Sequence, residues 1–446
     1  MKSISIFGTS SDAGKSTVTL IISKILHDLG YRVAPFKAQN VSNNAVVADD
    51  GGEIAVAQYF QADALGIETS HHLNPILLKS GGGGSSYLII NGKPIAKQSV
   101  RSYYRNISKL EPIVEEAFLY LHGRYDCIVA EGAGSPVELN LMDKDLSNIY
   151  IASRFKTKII LVADIEKGGV FASIYGVYNL LPEELKGEVI GVVINKFRGD
   201  IELFNDGIKI IEERFKIPVL GVLPYRPLNL GFEDSQSLLN YRQIKSGVEE
   251  WRVGVILYPY VSNYNDLEPL ILNPKVEVEF IRGDMDLEQF DEVILLGSKL
   301  VVKDLEWLKR VGLFRRLQRS QTRIFGICGG FEMMFERLID RLGVESNVET
   351  IEGLGFIDDD IVFQREKVLK RGIYRLFGRD VNGFEIHHGI SRKYPIYFDG
   401  GRVRGTFVHG VFEDEQFRRD RSIAIDSFVG EMRERLDVES ILNNII

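Results

Sequence analysis

Short apolar runs alternate with segments of helical period through the first half of the chain. We interpret six of these runs as strands: Ile4–Phe7, Val33–Phe36, Cys127–Ala130, Ile159–Ala163, Val189–Ile194 and Val219–Leu223. After the first run, the spacing predicts a helix whose apolar face is formed by Val18, Ile21, Ile22, Ile25, Leu26 and Leu29. This alternation is typical of a mostly parallel sheet covered by helices, and it predicts an α/β domain.

Polar or glycine residues follow directly after five of these runs. They are Gly8, Lys37, Glu131, Asp164 and Asn195. In an open parallel sheet, ligands bind beyond the carboxyl ends of the strands. We therefore expect these five residues to lie along one edge of the sheet, as a nucleotide site requires.

A polar stretch, Tyr241–Glu250, interrupts the pattern, and we interpret it as a linker. A second series of apolar runs then begins, at Val253–Leu257, Val276–Phe280, Val293–Leu296, Ile324–Ile327 and Thr406–Val408. Three of these runs are followed directly by Gly297, Cys328 and His409, respectively. The sequence therefore predicts one α/β domain over residues 1–240, a linker over 241–250 and a second α/β domain over 251–446.

Length and composition agree with a soluble enzyme of two or three domains. The chain has 446 residues, of which 45% are hydrophobic and 26% are charged, as in average globular proteins. Its net charge of −8 gives no general nucleic-acid footprint, and no apolar run approaches the roughly 18 residues that span a bilayer. Only two cysteines occur, so a disulfide framework is not expected. We expect a cytoplasmic protein that binds small molecules rather than nucleic acid or membrane, as a monomer or an oligomer.

The segment from Gly8 to Thr17 has the composition and the setting of a phosphate-binding loop. It lies between a predicted strand and a predicted helix, where backbone N–H groups and the helix amino end attract phosphate. We expect Lys15 to reach the terminal phosphates of ATP and Ser16 to place its hydroxyl on Mg²⁺, within an ATP site formed by Gly8, Thr9, Gly14, Lys15, Ser16 and Thr17. The alternative is a glycine-rich turn without a ligand. Five residues rather than four separate Gly8 from Gly14, a form that resembles dethiobiotin synthetase-like enzymes, which phosphorylate a carboxylate or a carbamate.

Three strand-end residues are candidates for the rest of the nucleotide site. Glu131 is well placed to hold Mg²⁺ against the phosphates, because this ion prefers hard oxygen ligands; the alternative is a helix-capping acid. The side-chain amide of Asn195 is a candidate for reading the adenine edge. Asp164 is a further candidate, or it caps the helix that follows.

Residues 324–334 predict a strand, a tight turn and a helix, with Cys328 at the turn. A helix amino end favours the thiolate, which is the nucleophilic form of cysteine. Backbone N–H groups at Gly329 and after Gly297 are candidates for stabilising the oxyanion that forms when a glutamine amide is attacked. His409 follows a later predicted strand and is the natural general base. The pattern therefore indicates a glutaminase.

Several longer strings resemble the glutamine-hydrolysing cobyric acid synthase family along nearly the whole chain. They lie at Pro35–Asn40, Asn74–Lys79, Glu131–Pro136, Asp164–Ala172 and Asn195–Asp200, together with the Cys328 and His409 motifs. The resemblance implies an α/β fold with a P-loop, dethiobiotin synthetase-like domain followed by a class I glutamine amidotransferase-like domain. It also implies a carbon–nitrogen ligase of cobalamin biosynthesis that uses ATP, Mg²⁺ and glutamine.

The resemblance further implies a corrinoid substrate. The b, d, e and g carboxylates of adenosylcobyrinic acid a,c-diamide would be phosphorylated by ATP and amidated by ammonia released at Cys328, which would give adenosylcobyric acid. By the same resemblance, Asp145 is expected to act at the corrinoid side of the site, and Glu53 is a further metal candidate. The alternatives are a cobyrinic acid a,c-diamide synthase and a P-loop ATPase with a non-catalytic glutaminase-like domain.

Three positions of the second domain differ from common patterns. Leu296–Lys299 replaces the family's usual proline-glycine-threonine-lysine and keeps the glycine that the oxyanion requires. Glu332 replaces the usual glutamine, so we expect a negative charge near the substrate glutamine. Val411 stands where many class I glutaminases carry a glutamate, and we therefore expect a Cys328–His409 dyad without an orienting acid.

Overall fold

The computed structural model describes residues 2–80, 85–99, 103, 105, 107–226 and 247–445. The chain forms two compact units, and neither unit is continuous in sequence. The phosphate-loop unit contains the described residues of Met1–Val41, Ala57–Leu230 and Arg419–Ile446, and the cysteine unit contains those of Ser42–Val56 and Gly231–Arg418. Of the linker expected over 241–250, residues 241–246 lie outside the described residues.

A six-stranded parallel sheet forms the centre of the phosphate-loop unit. Its order is β12-β11-β10-β1-β9-β2. The strands are β1 (Ser3–Gly8), β2 (Val33–Phe36), β9 (Cys127–Glu131), β10 (Lys158–Asp164), β11 (Val189–Phe197) and β12 (Val219–Pro224). All six correspond to the apolar runs of the first half, so the predicted parallel sheet is confirmed.

A smaller sheet and several helices complete this unit. The smaller sheet has the order β3-β6-β7-β8, with β3 (Gln39–Val41), β6 (Ile76–Ser80), β7 (Ser85–Ile90) and β8 (Lys93–Ser99). The helices before the carboxyl-terminal segment are α1 (Lys15–Asp28), α2 (Val56–Ala64), α3 (Glu111–His122), α4 (Ile149–Phe155), α5 (Val170–Leu180), α6 (Glu183–Lys186) and α7 (Asn205–Ile210). Helix α1 buries the apolar face that its sequence predicts, except that Leu29, which follows the last residue of the helix, is exposed.

The carboxyl-terminal residues 419–445 also belong to the phosphate-loop unit. They form most of α12 (Glu415–Arg433) and all of α13 (Val438–Ile445). Six of their buried side chains join the same apolar core as α1, namely Ile425, Val429, Met432, Leu436, Ile441 and Ile445. The backbone N–H of Asp437 donates to the carbonyl of Leu220 at 2.7 Å. Because each buried aliphatic side chain contributes ~2 kcal/mol, this segment is an integral part of the unit.

The cysteine unit is built around a second six-stranded sheet. Its order is β15-β13-β16-β18-β24-β23, and only the edge strand β23 is antiparallel. The strands are β13 (Trp251–Ile256), β15 (Val276–Ile281), β16 (Glu292–Leu295), β18 (Arg323–Ile327), β23 (Tyr397–Asp399) and β24 (Val403–Thr406). The strand expected at Thr406–Val408 is interrupted, because β24 ends at Thr406 and β25 (Val408–His409) joins another sheet.

Three further sheets and several short helices surround this core. One has the order β20-β19-β21-β22-β25, with β19 (Phe335–Ile339), β20 (Thr350–Glu352), β21 (Ile357–Leu376) and β22 (Arg379–Ile390). The two others are the pairs β14 (Val261–Ser262) with β17 (Gly297–Ser298) and β4 (Ala45–Val47) with β5 (Glu53–Ala55). The helices are α8 (Glu268–Ile271), α9 (Val301–Arg310), α10 (Leu313–Arg319) and α11 (Gly329–Glu332). Among the described residues, the helices are all too short or too polar to cross a bilayer.

Candidate active sites

The loop between β1 and α1 has the geometry of a phosphate-binding loop. Gly14 lies at φ 94°, a left-handed conformation that glycine adopts without strain, and α1 begins at the next residue. Lys15 is 8% exposed, and its Nζ lies 3.4 Å from the carbonyl of Ser10. Thr9 is buried and its N–H donates to the carbonyl of Val162 at 2.9 Å. The Lys15 ammonium therefore lies over the loop, and Thr9 fixes the start of the loop to the sheet.

Glu131 lies at the end of β9 and accepts bonds from three side chains. Its Oε1 accepts from the Ser16 hydroxyl at 2.8 Å and from the Lys37 ammonium at 2.7 Å, and its Oε2 accepts from the Gln61 amide at 3.0 Å. Although burial alone raises the pKa of a carboxyl, the charge of Lys37 and these bonds hold the pKa of Glu131 below its usual value. The carboxylate form is therefore favoured beside the phosphate loop.

Gln61 is a residue of this site that the sequence analysis did not name, whereas Lys37 was expected only as one of five strand-end residues along the sheet edge. Lys37 follows β2 and is 6% exposed, so its position after a predicted strand was a usable signal. Gln61 lies on α2, and its amide also donates to the carbonyl of Ser16 at 3.2 Å. No sequence motif marks Gln61, since its role depends on where α2 packs.

The donor set fits Mg²⁺. The Ser16 hydroxyl and the Glu131 carboxylate are hard oxygen ligands at the start of α1 and the end of β9, which is where the phosphates of a bound nucleotide would need the ion. Glu53 belongs to the cysteine unit instead, and both of its oxygens bind the Lys367 ammonium, at 3.1 and 2.8 Å. We therefore leave Glu53 out of the proposed metal site.

Asn195 and Asp164 both support the loop. The Asn195 amide donates to the carbonyl of Ala13 at 2.9 Å, so this side chain stabilises the phosphate-binding loop through its backbone. Asp164 accepts from the backbone N–H of Glu166 at 2.8 Å and binds the Lys196 ammonium at 3.0 Å, but it does not cap the next helix, which begins at Val170 after Gly169. Contact between Asn195 and adenine stays a prediction.

Asp145 caps the start of α4. Its carboxylate accepts from the backbone N–H groups of Ser147 at 2.9 Å, Asn148 at 3.0 Å and Ile149 at 2.6 Å. The residue also lines a cavity of about 100 Å³, together with Gln39 and Asn148. Capping explains these contacts, because a carboxylate stabilises the free N–H groups of a helix amino end. A direct role of Asp145 on the substrate stays a prediction.

Cys328 occupies a strained turn between β18 and α11. Its φ is 50°, a conformation that non-glycine residues rarely adopt, and its N–H donates to the carbonyl of Thr406 at 2.8 Å. The next residues pack so closely that an added Cβ on Gly330 would lie 2.1 Å from the carbonyl oxygen of Leu295. The strand, turn and short helix expected around Cys328 are therefore present.

His409 is held between Cys328 and a carboxylate. Its Nδ1 lies 2.7 Å from Oδ2 of Asp266, and Oδ1 of Asp266 accepts from the N–H of Gly410 at 2.8 Å. Both side chains of the His409–Asp266 pair are buried. The expectation of a dyad without an orienting acid is therefore wrong, because Asp266 fixes the ring and its tautomer.

The charges around His409 favour the protonated form of its ring. Although burial lowers the pKa of an imidazole, the Asp266 carboxylate and the charge and hydrogen bond of Cys328 raise the pKa of His409 to about 10. A raised pKa means that these groups favour the protonated ring at neutral pH. Asp266 therefore favours the protonated ring, which suits a base that takes the proton of the Cys328 thiol.

The Asp266→Asn variant tests the orienting role. The amide keeps the shape but cannot accept the Nδ1 proton with a full charge, so we expect the kcat for glutamine hydrolysis to fall by at least about a hundredfold. Synthesis from added ammonium salt should be unchanged, because ammonia bypasses this site. Glutamate release measures the effect, and Asp286→Asn, at an exposed turn of the same unit, is the control. Full activity of Asp266→Asn would exclude the role.

The two predicted oxyanion positions lie together beside the nucleophile. An added Cβ on Gly329 would lie 2.7 Å from the backbone nitrogen of Ser298, which is the N–H after Gly297. An added Cβ on Gly297 would lie 3.3 Å from Cε1 of His409. Two backbone N–H donors on either side of a turn that carries the nucleophile are suited to hold a developing oxyanion.

Glu332 is buried in α11, directly after the turn. Burial, followed by the charges of Cys328 and Glu345, raises the pKa of Glu332 well above its usual value. Its Oε1 accepts from the N–H of Gly389 at 3.2 Å. The neutral acid is therefore favoured, in contrast to the negative charge expected from the sequence. A neutral carboxyl offers one donor and one acceptor side, as the family's glutamine amide does.

Family models match both parts of the chain. The model of the CobQ/CobB/MinD/ParA nucleotide binding domain matches residues 4–233. The model of the CobB/CobQ-like glutamine amidotransferase domain matches residues 252–417. These matches confirm the predicted order of a P-loop domain followed by a glutamine amidotransferase domain.

Curated relatives match the chain over nearly its full length. The cobyric acid synthase of Acinetobacter baylyi is 58% identical over 464 residues, covering 100% of this chain and 99% of that protein. The probable cobyric acid synthase of Picrophilus torridus is 40% identical over 475 residues, with 99% of each chain covered. That of Methanosarcina barkeri is 42% identical over 438 residues, covering 94% of this chain and 89% of the other.

Proposed function

Because the chain belongs to the cobyric acid synthase family and is a glutamine-dependent amide ligase, we propose that it amidates a corrinoid. The proposed reaction converts the b, d, e and g carboxylates of adenosylcobyrinic acid a,c-diamide to amides, with glutamine as nitrogen donor and ATP and Mg²⁺ as further requirements. The observation that carries the proposal is that a phosphate loop beside Glu131 and a Cys328–His409–Asp266 arrangement occur in one chain.

In the glutaminase half, Cys328 is the proposed nucleophile. His409 takes the thiol proton, and Sγ attacks the amide carbon of glutamine while Gly329 and the N–H after Gly297 stabilise the oxyanion. The carbon–nitrogen bond then breaks, His409 returns the proton to the leaving nitrogen, and ammonia departs. Water hydrolyses the remaining thioester to glutamate and restores the thiol.

In the ATP half, a substrate carboxylate oxygen attacks the γ-phosphorus and the bond to ADP breaks, which leaves an acyl phosphate. Lys15 and Lys37 place two ammonium groups where charge builds on the phosphoryl oxygens. Ser16 and Glu131 would hold Mg²⁺, which would neutralise phosphate charge. Ammonia then attacks the acyl carbon, phosphate leaves, and the extra proton on nitrogen is lost, which completes the amide.

Mass spectrometry of the corrinoid product tests this proposal. The protein is incubated with adenosylcobyrinic acid a,c-diamide, ATP, Mg²⁺ and glutamine carrying heavy nitrogen in its amide. We expect all four carboxyl groups to become labelled amides, with one ATP hydrolysed for each. Conversion of cobyrinic acid itself, with none of the diamide, would favour an a,c-diamide synthase. No glutamine hydrolysis under any condition would favour a non-catalytic glutaminase-like domain.

A further inference from the structure

Residues 42–56 form a hairpin of β4 and β5 within the cysteine unit, although the residues on both sides of it in sequence belong to the phosphate-loop unit. Two cationic side chains of β21 hold this hairpin. Lys367 binds the fully buried carboxylate of Glu53 at 2.8 Å, and Arg371 donates to the carbonyl of Val47 at 3.0 Å. The hairpin is therefore docked by specific charged contacts.

The start of the hairpin binds Asn263 from two sides. The backbone N–H of Asn263 donates to Oδ1 of Asn44 at 2.9 Å, and the backbone N–H of Ala45 donates to Oδ1 of Asn263 at 3.1 Å. Asn263 is 3% exposed and has a φ of 53°, so these bonds hold a buried residue in a left-handed conformation. Because its Oδ1 accepts from Ala45, the orientation of the Asn263 amide is fixed and its Nδ2 points the other way.

That Nδ2 lies 3.3 Å from Nε2 of His409. An amide nitrogen can only donate, so this contact requires the unprotonated form of Nε2. Nε2 is also the atom that must take the proton of Cys328, since Nδ1 faces Asp266. The Asn263 amide therefore donates to the Nε2 lone pair that would accept the thiol proton. This contact favours the neutral ring, whereas Asp266 and Cys328 raise the pKa of His409 and favour the protonated ring.

We propose that Asn263 is a positioning residue that shifts His409 toward its neutral form at rest, and that residues 42–56 maintain this shift by holding the Asn263 amide. Release of the hairpin lets the amide rotate, so that Oδ1 accepts from a protonated Nε2 and the thiolate forms. The inference rests on the proposed glutamine hydrolysis at Cys328. It explains how a resting glutaminase avoids hydrolysing glutamine without a use for the ammonia.

The chain gives the hairpin a covalent connection to the phosphate site. Residue 56 is both the end of the hairpin and the first residue of α2, whose Gln61 donates to Glu131 and to the carbonyl of Ser16. The hairpin and Gln61 are therefore joined by a short run of backbone. Nucleotide phosphates or Mg²⁺ at Glu131 would change the partners of Gln61.

Two variants of Asn263 test the inference. Asn263→Asp keeps the acceptor for Ala45 but replaces the donor facing His409 with an acceptor. Asn263→Gly removes the side chain and suits the positive φ. For both, we expect the kcat for glutamine hydrolysis without ATP or corrinoid to rise about tenfold, the size expected for losing one hydrogen bond, with KM for glutamine within about twofold.

Glutamate release is measured with and without ATP and the corrinoid, and synthesis from ammonium salt verifies that each variant is folded. Asn273→Asp, which adds the same charge at an exposed position, should behave as wild type. Folded Asn263 variants whose unstimulated hydrolysis is unchanged or lower would overturn the inference, since a purely structural role can only reduce activity. Wild-type protein that hydrolyses no glutamine even with ATP and corrinoid would overturn the proposed function and this inference with it.

Discussion

The Cys328→Ala variant is expected to lose glutamine-dependent synthesis by at least about a thousandfold, because no other group can form the thioester. Synthesis from added ammonium salt should continue at the wild-type rate, since the phosphate loop and its partners lie in a different compact unit from Cys328. Amide formation on the corrinoid, measured with glutamine and with ammonium salt in parallel, checks both parts.

The chain offers a matched control in its other cysteine. Cys127 is buried in β9, and this burial raises the pKa of its thiol to about 12, so it is a poor nucleophile. Cys127→Ala should therefore keep glutamine-dependent synthesis. If Cys328→Ala also lost synthesis from ammonium salt while remaining folded, the two chemistries would not be separable as proposed.

The Lys15→Met variant is expected to have the opposite profile. Methionine keeps an unbranched side chain of similar length but removes the ammonium over the phosphate loop, so phosphoryl transfer should fall by about a thousandfold or more. Synthesis should fail with glutamine and with ammonium salt alike, while unstimulated glutamine hydrolysis should persist. ADP release and glutamate release, measured in the same samples, separate the two activities.

Lys24→Met is the control for this variant, because Lys24 lies on the same helix and binds Asp28 and Asp426 instead of the loop. It should leave both activities near wild type. Retention of ADP release by Lys15→Met would mean that the loop between β1 and α1 is not the ATP site.

The parts of the fold that the sequence predicts well are the buried parallel strands. Both faces of such strands are covered, so they appear as continuous apolar runs, and nearly all of the predicted runs are strands of the two central sheets. The long strand β21 was not predicted. Its sequence from Gln364 to Arg371 is mostly charged and this part of the strand is only partly buried, so its pairing with β22 is not encoded in apolar alternation.

The nucleophile and the base were predictable, but the orienting acid was not. Cys328 and His409 follow strand runs and stand beside glycines, which gives them a local signature. Asp266 lies in a short 3₁₀ turn, Tyr264–Leu267, and it is 143 residues from His409 in sequence. Nothing around it distinguishes it from an ordinary turn residue. Only the packing of the turn against β25 brings the carboxylate to the ring.

The charge of Glu332 shows a different limit. Its residue type predicts an anion, and the sequence contains no information about how completely α11 is covered. In the structure the side chain is 2% exposed beside a second acid, so the neutral form is favoured. The glutamate at position 332, in place of the family's usual glutamine, is therefore close to an exchange of one neutral hydrogen-bonding group for another.

Residues 42–56 belong to the cysteine unit and residues 419–445 belong to the phosphate-loop unit. The polypeptide therefore has no single point at which one cut would separate the two units. A cut at the linker would leave one fragment without the helices that complete its apolar core and the other without the hairpin that binds Lys367 and Asn263. The two units are consequently synthesised in equal numbers, from one message, and are inherited together. Splitting the gene at the linker would therefore remove part of the fold from both products.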